Sequence, residues 1–170
     1  MFAALAPALL AAGQTPALPV PSNQAREGDF TALQIAFDDP ERFDSEWRTD
    51  TPGANISTTH KGVRNRPIFA AVIFSNCTAD AAGRCEVTAD IVVTDPAGKI
   101  YAEHKGAEIW RAPAPQRDRL ALGAARLGLR IEPGELLGGY RVRFTLHDRV
   151  AKRDLVTEDV LTIAEAPGTW

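Results

Sequence analysis

The nucleophilic side chains of this sequence do not form a recognisable catalytic set. Nucleophilic catalysis needs a serine or cysteine together with a base and an orienting acid. None of the four serines lies in a Gly-x-Ser-x-Gly elbow. The closest serine and histidine along the chain, Ser57 and His60, both fall in a polar stretch that is typical of a loop. We therefore predict no catalytic residues and expect that the protein is not an enzyme.

The two cysteines have a spacing that favours a disulfide. Seven residues separate Cys77 from Cys85, which is neither the Cys-x-x-Cys of redox enzymes nor half of a zinc site. Each cysteine borders a strand-like segment, so we expect the two to face each other across the mouth of a hairpin loop. A bond closing so small a loop stabilises a fold by about 2–3 kcal/mol in the chain-entropy model. The alternative, two free thiols, would suit a cytosolic protein.

The possible metal ligands are scattered along the chain. The three histidines, His60, His104 and His147, lie on separate segments, and the only methionine is Met1. Glu103 and His104 are neighbours, so on a strand they would point to opposite faces and could not bind one ion together. Neither a Walker pattern nor a Gly-x-Gly-x-x-Gly loop is present to bind phosphate. We expect no metal ion and no cofactor.

Basic residues are concentrated in the second half of the chain. Five basic side chains occupy outward positions of two predicted strands: Arg126, Arg130, Arg141, Arg143 and His147. If these strands are neighbours, the side chains form a stripe that could bind an anionic glycan, a phospholipid headgroup or an acidic protein. The other interpretation is a solvated sheet face whose charges prevent edge-to-edge pairing.

Trp110 is a further candidate for ligand contact. Beside Arg111, it could provide a flat platform for a sugar ring. The alternative is a structural role, because the core of a β-sandwich usually absorbs one tryptophan.

Length and composition are those of a globular protein with one domain. The chain has 170 residues, of which 45% are hydrophobic and 24% charged, enough to build a core. A net charge of -3 is too balanced for a protein that binds nucleic acid through bulk charge. After the N-terminus, no segment approaches the roughly 20 apolar residues that a membrane-spanning helix needs. We expect no nucleic-acid partner and no transmembrane span.

The first residues have the character of an export signal. The apolar run 2–12 has the length of a secretory signal core and is followed by small residues, although no lysine or arginine precedes it. An Ala- and Pro-rich arm is the alternative. We predict a signal peptide at 1–17, a Pro-rich linker at 18–28, a single domain at 29–164 and a flexible tail at 165–170. Arginines outnumber lysines 15 to 4, as in GC-rich bacterial genomes. A bacterial source combined with an export signal leads us to expect a periplasmic or extracellular location.

Alternating hydrophobicity dominates from residue 30 onward and indicates antiparallel strands. The strand-like segments are 30–37, 68–75, 86–94, 99–104, 109–110, 126–131, 140–147 and 155–163. The first of these is apolar on both faces and is expected to be buried on both. Asp39 before Pro40 predicts a short helix over 40–47. Seven to eight strands and one short helix predict an all-β, antiparallel β-sandwich.

Three short motifs stand out in the second half of the chain. They are Val-Thr-Asp-Pro-Ala-Gly-Lys at 93–99, Leu-Arg-Ile-Glu-Pro-Gly at 129–134 and Leu-Gly-Gly-Tyr-Arg-Val at 137–142. With them, residues 87–163 resemble immunoglobulin-like modules of exported bacterial envelope proteins, including the early domains of macroglobulin-type proteins. The resemblance implies a hairpin turn at the first motif and a central strand that starts at the Gly-x-Tyr-x-Val piece. The resemblance implies no activity. A disulfide at a hairpin tip would also differ from the disulfide of antibody domains, which joins the two sheets.

Together these observations favour an exported, non-enzymatic β-sandwich that acts by binding, as an envelope subunit or accessory factor with a protein partner. The first alternative is a module that binds a glycan or another anionic small ligand through an arginine-rich sheet face. The second is a small periplasmic enzyme or metal carrier. A contiguous exposed apolar patch or a long unpaired edge strand would favour protein binding.

Overall fold

The computed structural model describes residues 22–48 and 55–166. Over these residues the chain forms nine strands and one helix: β1 (Gln24–Glu27), β2 (Phe30–Phe37), α1 (Pro40–Trp47), β3 (Lys61–Val63), β4 (Ile68–Ser75), β5 (Arg84–Thr94), β6 (Ile100–Pro113), β7 (Ala121–Leu129), β8 (Gly138–Asp148) and β9 (Arg153–Ala164). No helix in this part of the chain is long and apolar enough to cross a membrane. The predicted signal peptide at 1–17 lies outside the described residues, as do 18–21 of the predicted linker and 167–170 of the predicted tail.

The strands form two sheets that pack face to face. Sheet A has the order β1-β2-β4-β7, and sheet B has the order β3-β9-β8-β5-β6. All neighbours pair antiparallel except β3, which runs parallel to β9. Immunoglobulin domains place the strands lettered A, B and E in one sheet and C, F and G in the other. Here β2, β4 and β7 take the first set of places, and β5, β8 and β9 take the second.

A tyrosine at the start of β8 supports this assignment. The ring of Tyr140 is buried, and its hydroxyl donates a 2.7 Å hydrogen bond to the carbonyl of Leu136. A tyrosine at this corner, bonded to the backbone a few residues upstream, is a hallmark of immunoglobulin-like sandwiches. The predicted fold class is confirmed, with nine strands in the described residues. The Gly-x-Tyr-x-Val piece starts a central strand, as the resemblance implied.

The core between the sheets comes from every second residue of the central strands. The inward side chains of β8 are buried, while its outward side chains remain accessible. The same alternation holds along β5. The buried set from these two strands is Val87, Ala89, Ile91, Val93, Tyr140, Val142, Phe144 and Leu146. Removal of this apolar surface from water is the main driving force for the fold.

The outer face of sheet A is also apolar, and α1 packs against it. The Asp39 side chain accepts a hydrogen bond from the Arg42 N–H at 2.9 Å and caps the helix. One turn later, Phe43 stacks on Phe37 of β2 with ring centroids 4.1 Å apart. The predicted helix over 40–47 is confirmed, and so is the burial of β2 on both faces.

The edge strands differ from the prediction. Segments 99–104 and 109–110, expected as two strands, belong to the single strand β6. Gly106 has a positive φ of 67° at a bulge, where its N–H donates to Asp90 Oδ1 at 2.9 Å. This bulge interrupts the alternation without ending the strand. Residues 24–27, which we assigned to the linker, form β1 and pair with β2.

The disulfide between Cys77 and Cys85 is present, but the hairpin expected around it is wrong. Cys77 follows β4 of sheet A, whereas Cys85 lies in β5 of sheet B. The bond therefore closes a connection between the two sheets. Two strands that flank a short loop look alike in sequence whether they pair with each other or cross between layers, so the spacing could not distinguish these cases.

Candidate interaction surfaces

Arg126 lies on the outer face of sheet A, over α1. Its Nη2 donates to Asp44 Oδ1 at 2.5 Å, and its guanidinium lies 5.7 and 5.4 Å from the ring centroids of Phe37 and Phe43. The hydrogen bond from Arg126 lowers the pKa of the Asp44 carboxyl below its usual value. Through these contacts Arg126 attaches α1 to sheet A.

Arg141 and Arg143 lie on the outer face of sheet B and share one carboxylate. Arg141 Nη1 donates to Glu158 Oε1 at 2.6 Å, and Arg143 Nε donates to Glu158 Oε2 at 2.8 Å. Glu158 is buried, and both arginines are about half exposed. The cluster has one net positive charge, and part of its donor capacity is already used within the sheet.

The strands that carry the five basic residues are not neighbours, so the condition for a single stripe is not met. Arg126 belongs to β7 and Arg130 follows it, in sheet A, whereas Arg141, Arg143 and His147 belong to β8, in sheet B. The chain crosses from one layer to the other between β7 and β8, as immunoglobulin domains do between strands E and F. The five residues therefore form no single stripe. Anion binding by the Arg141–Arg143 pair alone stays a prediction.

His147 and Trp110 both have partners within the fold. His147 Nδ1 lies 2.7 Å from Asp154 Oδ1, and its Nε2 lies 3.6 Å from Asp90 Oδ2. Trp110 Nε1 donates to the Pro113 carbonyl at 3.1 Å, and its ring meets the buried Phe74 ring edge-on. Trp110 packs against the core, so only part of its surface is left for the sugar contact, which stays a prediction.

Ser57 and His60 do not act on each other. The Ser57 hydroxyl donates to Glu46 Oε1 at 2.9 Å, while His60 Nδ1 lies 2.8 Å from Asp159 Oδ2. His104 is exposed on β6. Among residues 22–48 and 55–166, no three histidine, cysteine or acidic side chains are grouped as ligands for a metal ion.

The exposed apolar side chains have an uneven distribution. Within the described part of the chain six large ones are exposed, and four of these lie at one end of the sandwich: Ile100, Tyr101, Leu136 and Leu137. We call these four residues the end patch. The turn before Ile100 contacts the start of β8 just after Leu137, because Pro96 lies 3.4 Å from the position of a Cβ on Gly138. Ile100 is 68% exposed and Leu136 is 50% exposed. Grouped apolar side chains of this kind mark interaction sites.

Tyr101 is held rigidly within the end patch. Its hydroxyl donates to the Glu135 carboxylate, with O–O distances of 3.0 and 3.2 Å, and its ring meets the Tyr140 ring edge-on at 5.4 Å. Partial burial, and next the hydrogen bond to Glu135, raise the pKa of Tyr101 to about 12. An aromatic side chain fixed in this way loses little conformational entropy when a partner covers it.

Sequence reasoning missed the end patch, although a signal for it existed. Leu136 and Leu137 lie between a Pro-Gly turn and a Gly-Gly pair, where loop residues are normally polar. Two adjacent leucines in such a loop are either buried or available to a partner. Alternation along strands, which guided the prediction, says nothing about loop residues.

The fold makes the chain an immunoglobulin-like β-sandwich domain. No protein-family model and no curated protein sequence matches it. Among solved structures, it is similar to the CARDB domain of a Pyrococcus furiosus protein determined in complex with di-metal ions, with 9% identity and a TM-score of 0.42 over 90% of this chain and 100% of that chain. It is also similar to a Niemann-Pick type C2 protein from the Japanese carpenter ant, with 10% identity and a TM-score of 0.41 over 84% of this chain and 95% of that chain. At such values the likeness concerns the β-sandwich fold alone.

Proposed function

We propose that this protein is an exported, non-enzymatic β-sandwich that binds a partner protein through the end patch, as an envelope subunit or accessory factor. The observation that carries the proposal is the concentration of Ile100, Tyr101, Leu136 and Leu137 at one end of the molecule. Exposed apolar surface is costly in water, and covering it with a partner recovers about 25 cal/mol for each Å² buried. A fixed tyrosine flanked by aliphatic side chains is the kind of anchor that dominates protein interfaces.

The arginines support the anionic-ligand alternative less well. They are split between the two sheets, and Arg126, Arg141 and Arg143 each pair with a carboxylate of the chain itself. A glycan sulfate or carboxylate would have to compete with Asp44 or Glu158 for the same donors. The end patch has no such competitor for its apolar surface within the described residues.

Export is the second element of the proposal, and the disulfide supports it. Bonds of this kind persist in oxidising compartments such as the bacterial periplasm and are rare in the cytosol. Cys77 and Cys85 are both buried, which suits a structural bond that does not exchange with other thiols. An abundance of arginine over lysine supports a bacterial source.

The test is a pull-down from the native envelope in mild detergent, followed by mass spectrometry. Three forms are compared: the unaltered protein, the double variant Leu136→Asp with Leu137→Asp, and the control Leu120→Asp. Leu120 is 60% exposed and precedes β7, whereas the two leucines lie beyond the other end of that strand. Circular dichroism verifies that all three forms are folded.

We expect one stoichiometric partner with the unaltered protein and the Leu120 variant, and its loss from the double variant. Equal recovery of the partner with all three forms would show that binding does not use the end patch. Recovery of the protein alone in every case would contradict protein binding, and screens with anionic glycans would then take priority.

A further inference from the structure

We propose that the partner segment presents a lysine or arginine next to an apolar side chain, and that Glu135 of the end patch receives this cation. The inference rests on the proposed function and adds the chemistry of the partner. Glu135 is half-buried and lies in the loop before β8 that also carries Leu136 and Leu137. Because its carboxylate accepts the Tyr101 hydroxyl, a side chain that docks on Tyr101 and Leu136 would bring this charge into the interface.

The Glu135 carboxylate is already fixed in position. It accepts the Tyr101 hydroxyl, and its Oε2 also accepts the backbone N–H of Glu132 at 2.6 Å. Both donors are neutral, so they orient the carboxylate without cancelling its charge. A pre-positioned acceptor of this kind strengthens a charge-assisted hydrogen bond, because little reorganisation is needed when the donor arrives.

Within the described residues, the groups recorded on the Glu135 carboxylate are the Tyr101 hydroxyl and the Glu132 N–H, neither of which is a cation. Arg64 lies nearby, but it donates to the carbonyls of Glu132 and Glu135, at 2.8 and 3.2 Å, and pairs with the carboxylate of Glu165 at 2.9 Å. Covering Glu135 with a purely apolar partner would remove water from an uncompensated charge, which costs several kcal/mol. A partner cation offsets that cost, so Glu135 selects for basic segments.

A second copy of this chain fits the patch less well. A symmetric contact would bring two Glu135 carboxylates into one apolar interface, each without a counter-ion. Glu132 and Asp95 add negative potential at this end, since they contribute to the raised pKa values of Tyr101 and Tyr140, respectively. Lys99 and Arg130 are exposed cations in the same two loops, so a second copy could also bring a cation to Glu135. Self-association is therefore an outcome for the test to exclude.

The test selects binders from a displayed library of random peptides on four immobilised forms of the full chain. These are the unaltered protein, Glu135→Gln, the matched control Glu132→Gln, and the double variant Leu136→Asp with Leu137→Asp. Glutamine keeps an oxygen that can accept the Glu132 N–H, so the first substitution removes the charge and preserves the loop. Glu132→Gln removes an equal charge from an exposed side chain three residues away.

We expect peptides selected on the unaltered protein to combine a lysine or arginine with neighbouring apolar residues. For one such synthetic peptide, Glu135→Gln should weaken binding and raise the dissociation constant about tenfold. Glu132→Gln should raise it less than about twofold. Selection on Glu135→Gln should retain the apolar preference and lose the basic one. Basic enrichment that is the same on both forms would overturn the role of Glu135 while leaving the patch intact.

Different results would contradict the proposed function itself. If the double variant selects the same peptides as the unaltered protein, the patch is not the binding surface. If sedimentation of the unaltered protein shows a dimer that the double variant lacks, a second copy occupies the patch, and the assignment of a basic partner is overturned.

Discussion

Asp44 and Arg126 are 82 residues apart in sequence and form a 2.5 Å ion pair that joins α1 to sheet A. The same guanidinium covers the stacked rings of Phe37 and Phe43. A planar guanidinium can make both contacts at once, whereas a lysine ammonium cannot. Arg126, a candidate for ligand binding when only the sequence is considered, therefore has a structural role: it attaches α1 to sheet A.

Replacing Arg126 should loosen the attachment of the helix. We expect Arg126→Ala to lower the thermal midpoint by several degrees and Arg126→Lys to give an intermediate value, because lysine keeps the charge but cannot stack in the same way. Thermal unfolding followed by circular dichroism measures the shift. Arg130→Ala is the control, since Arg130 is exposed and should change little. Equal midpoints for all forms would mean that the ion pair and the stacking do not hold α1.

The same pair predicts a pH dependence of stability. The pKa of Asp44 is lowered in the folded state, chiefly by the hydrogen bond from Arg126, so the folded form prefers the charged carboxylate. The Asp44 carboxylate therefore adds to the free energy of unfolding at pH values above its unfolded pKa, near 3.8. This contribution is lost as pH falls through the lowered pKa of the folded state. Asp44→Asn lacks this contribution. Urea unfolding at several acidic pH values should therefore show a weaker acid destabilisation in the variant than in the unaltered protein.

The Cys77–Cys85 bond should be structural rather than catalytic. We expect Cys77→Ala with Cys85→Ala to lower the free energy of unfolding by about 2–3 kcal/mol and to leave the sandwich folded. Denaturant unfolding measures the loss. In the native protein a thiol reagent should modify neither cysteine. Rapid modification under native conditions would show that the bond is absent or readily reduced.

Tyr101 provides a direct report on Glu135. Its pKa is raised to about 12, first by burial and then by Glu135, so Glu135→Gln should lower that pKa but leave it above the usual value of 10.0. The chain has only two tyrosines, which makes a titration of tyrosinate absorbance interpretable. The titration of Tyr140→Phe identifies the contribution of Tyr101. An unchanged titration curve in Glu135→Gln would contradict the contact between Glu135 and the phenol.

The strands of the central core were predictable because burial imposes a period of two on residues such as those of β5 and β8. The helix was predictable because Asp39 and Pro40 are local signals for a helix start. Which strands share a sheet was not predictable, since it depends on contacts between distant segments. That is why the sequence left open whether the arginines of β7 and β8 lie side by side, and why the disulfide was expected within a hairpin. Ile100 and Leu136 lie at the same end of the sandwich because the turn before β6 and the loop before β8 converge there.

The measurement that tests the account most directly is site-specific photocrosslinking in the native envelope. A photoreactive phenylalanine analogue replaces Leu137 in one form and Leu120 in the other; both positions are exposed, and Leu120 precedes β7 whereas Leu137 lies beyond the other end of that strand. The account predicts a single adduct of defined mass with another protein from position 137 and none from position 120. Adducts of equal yield from both positions, or none from position 137, would contradict the assignment of the end patch as the binding surface.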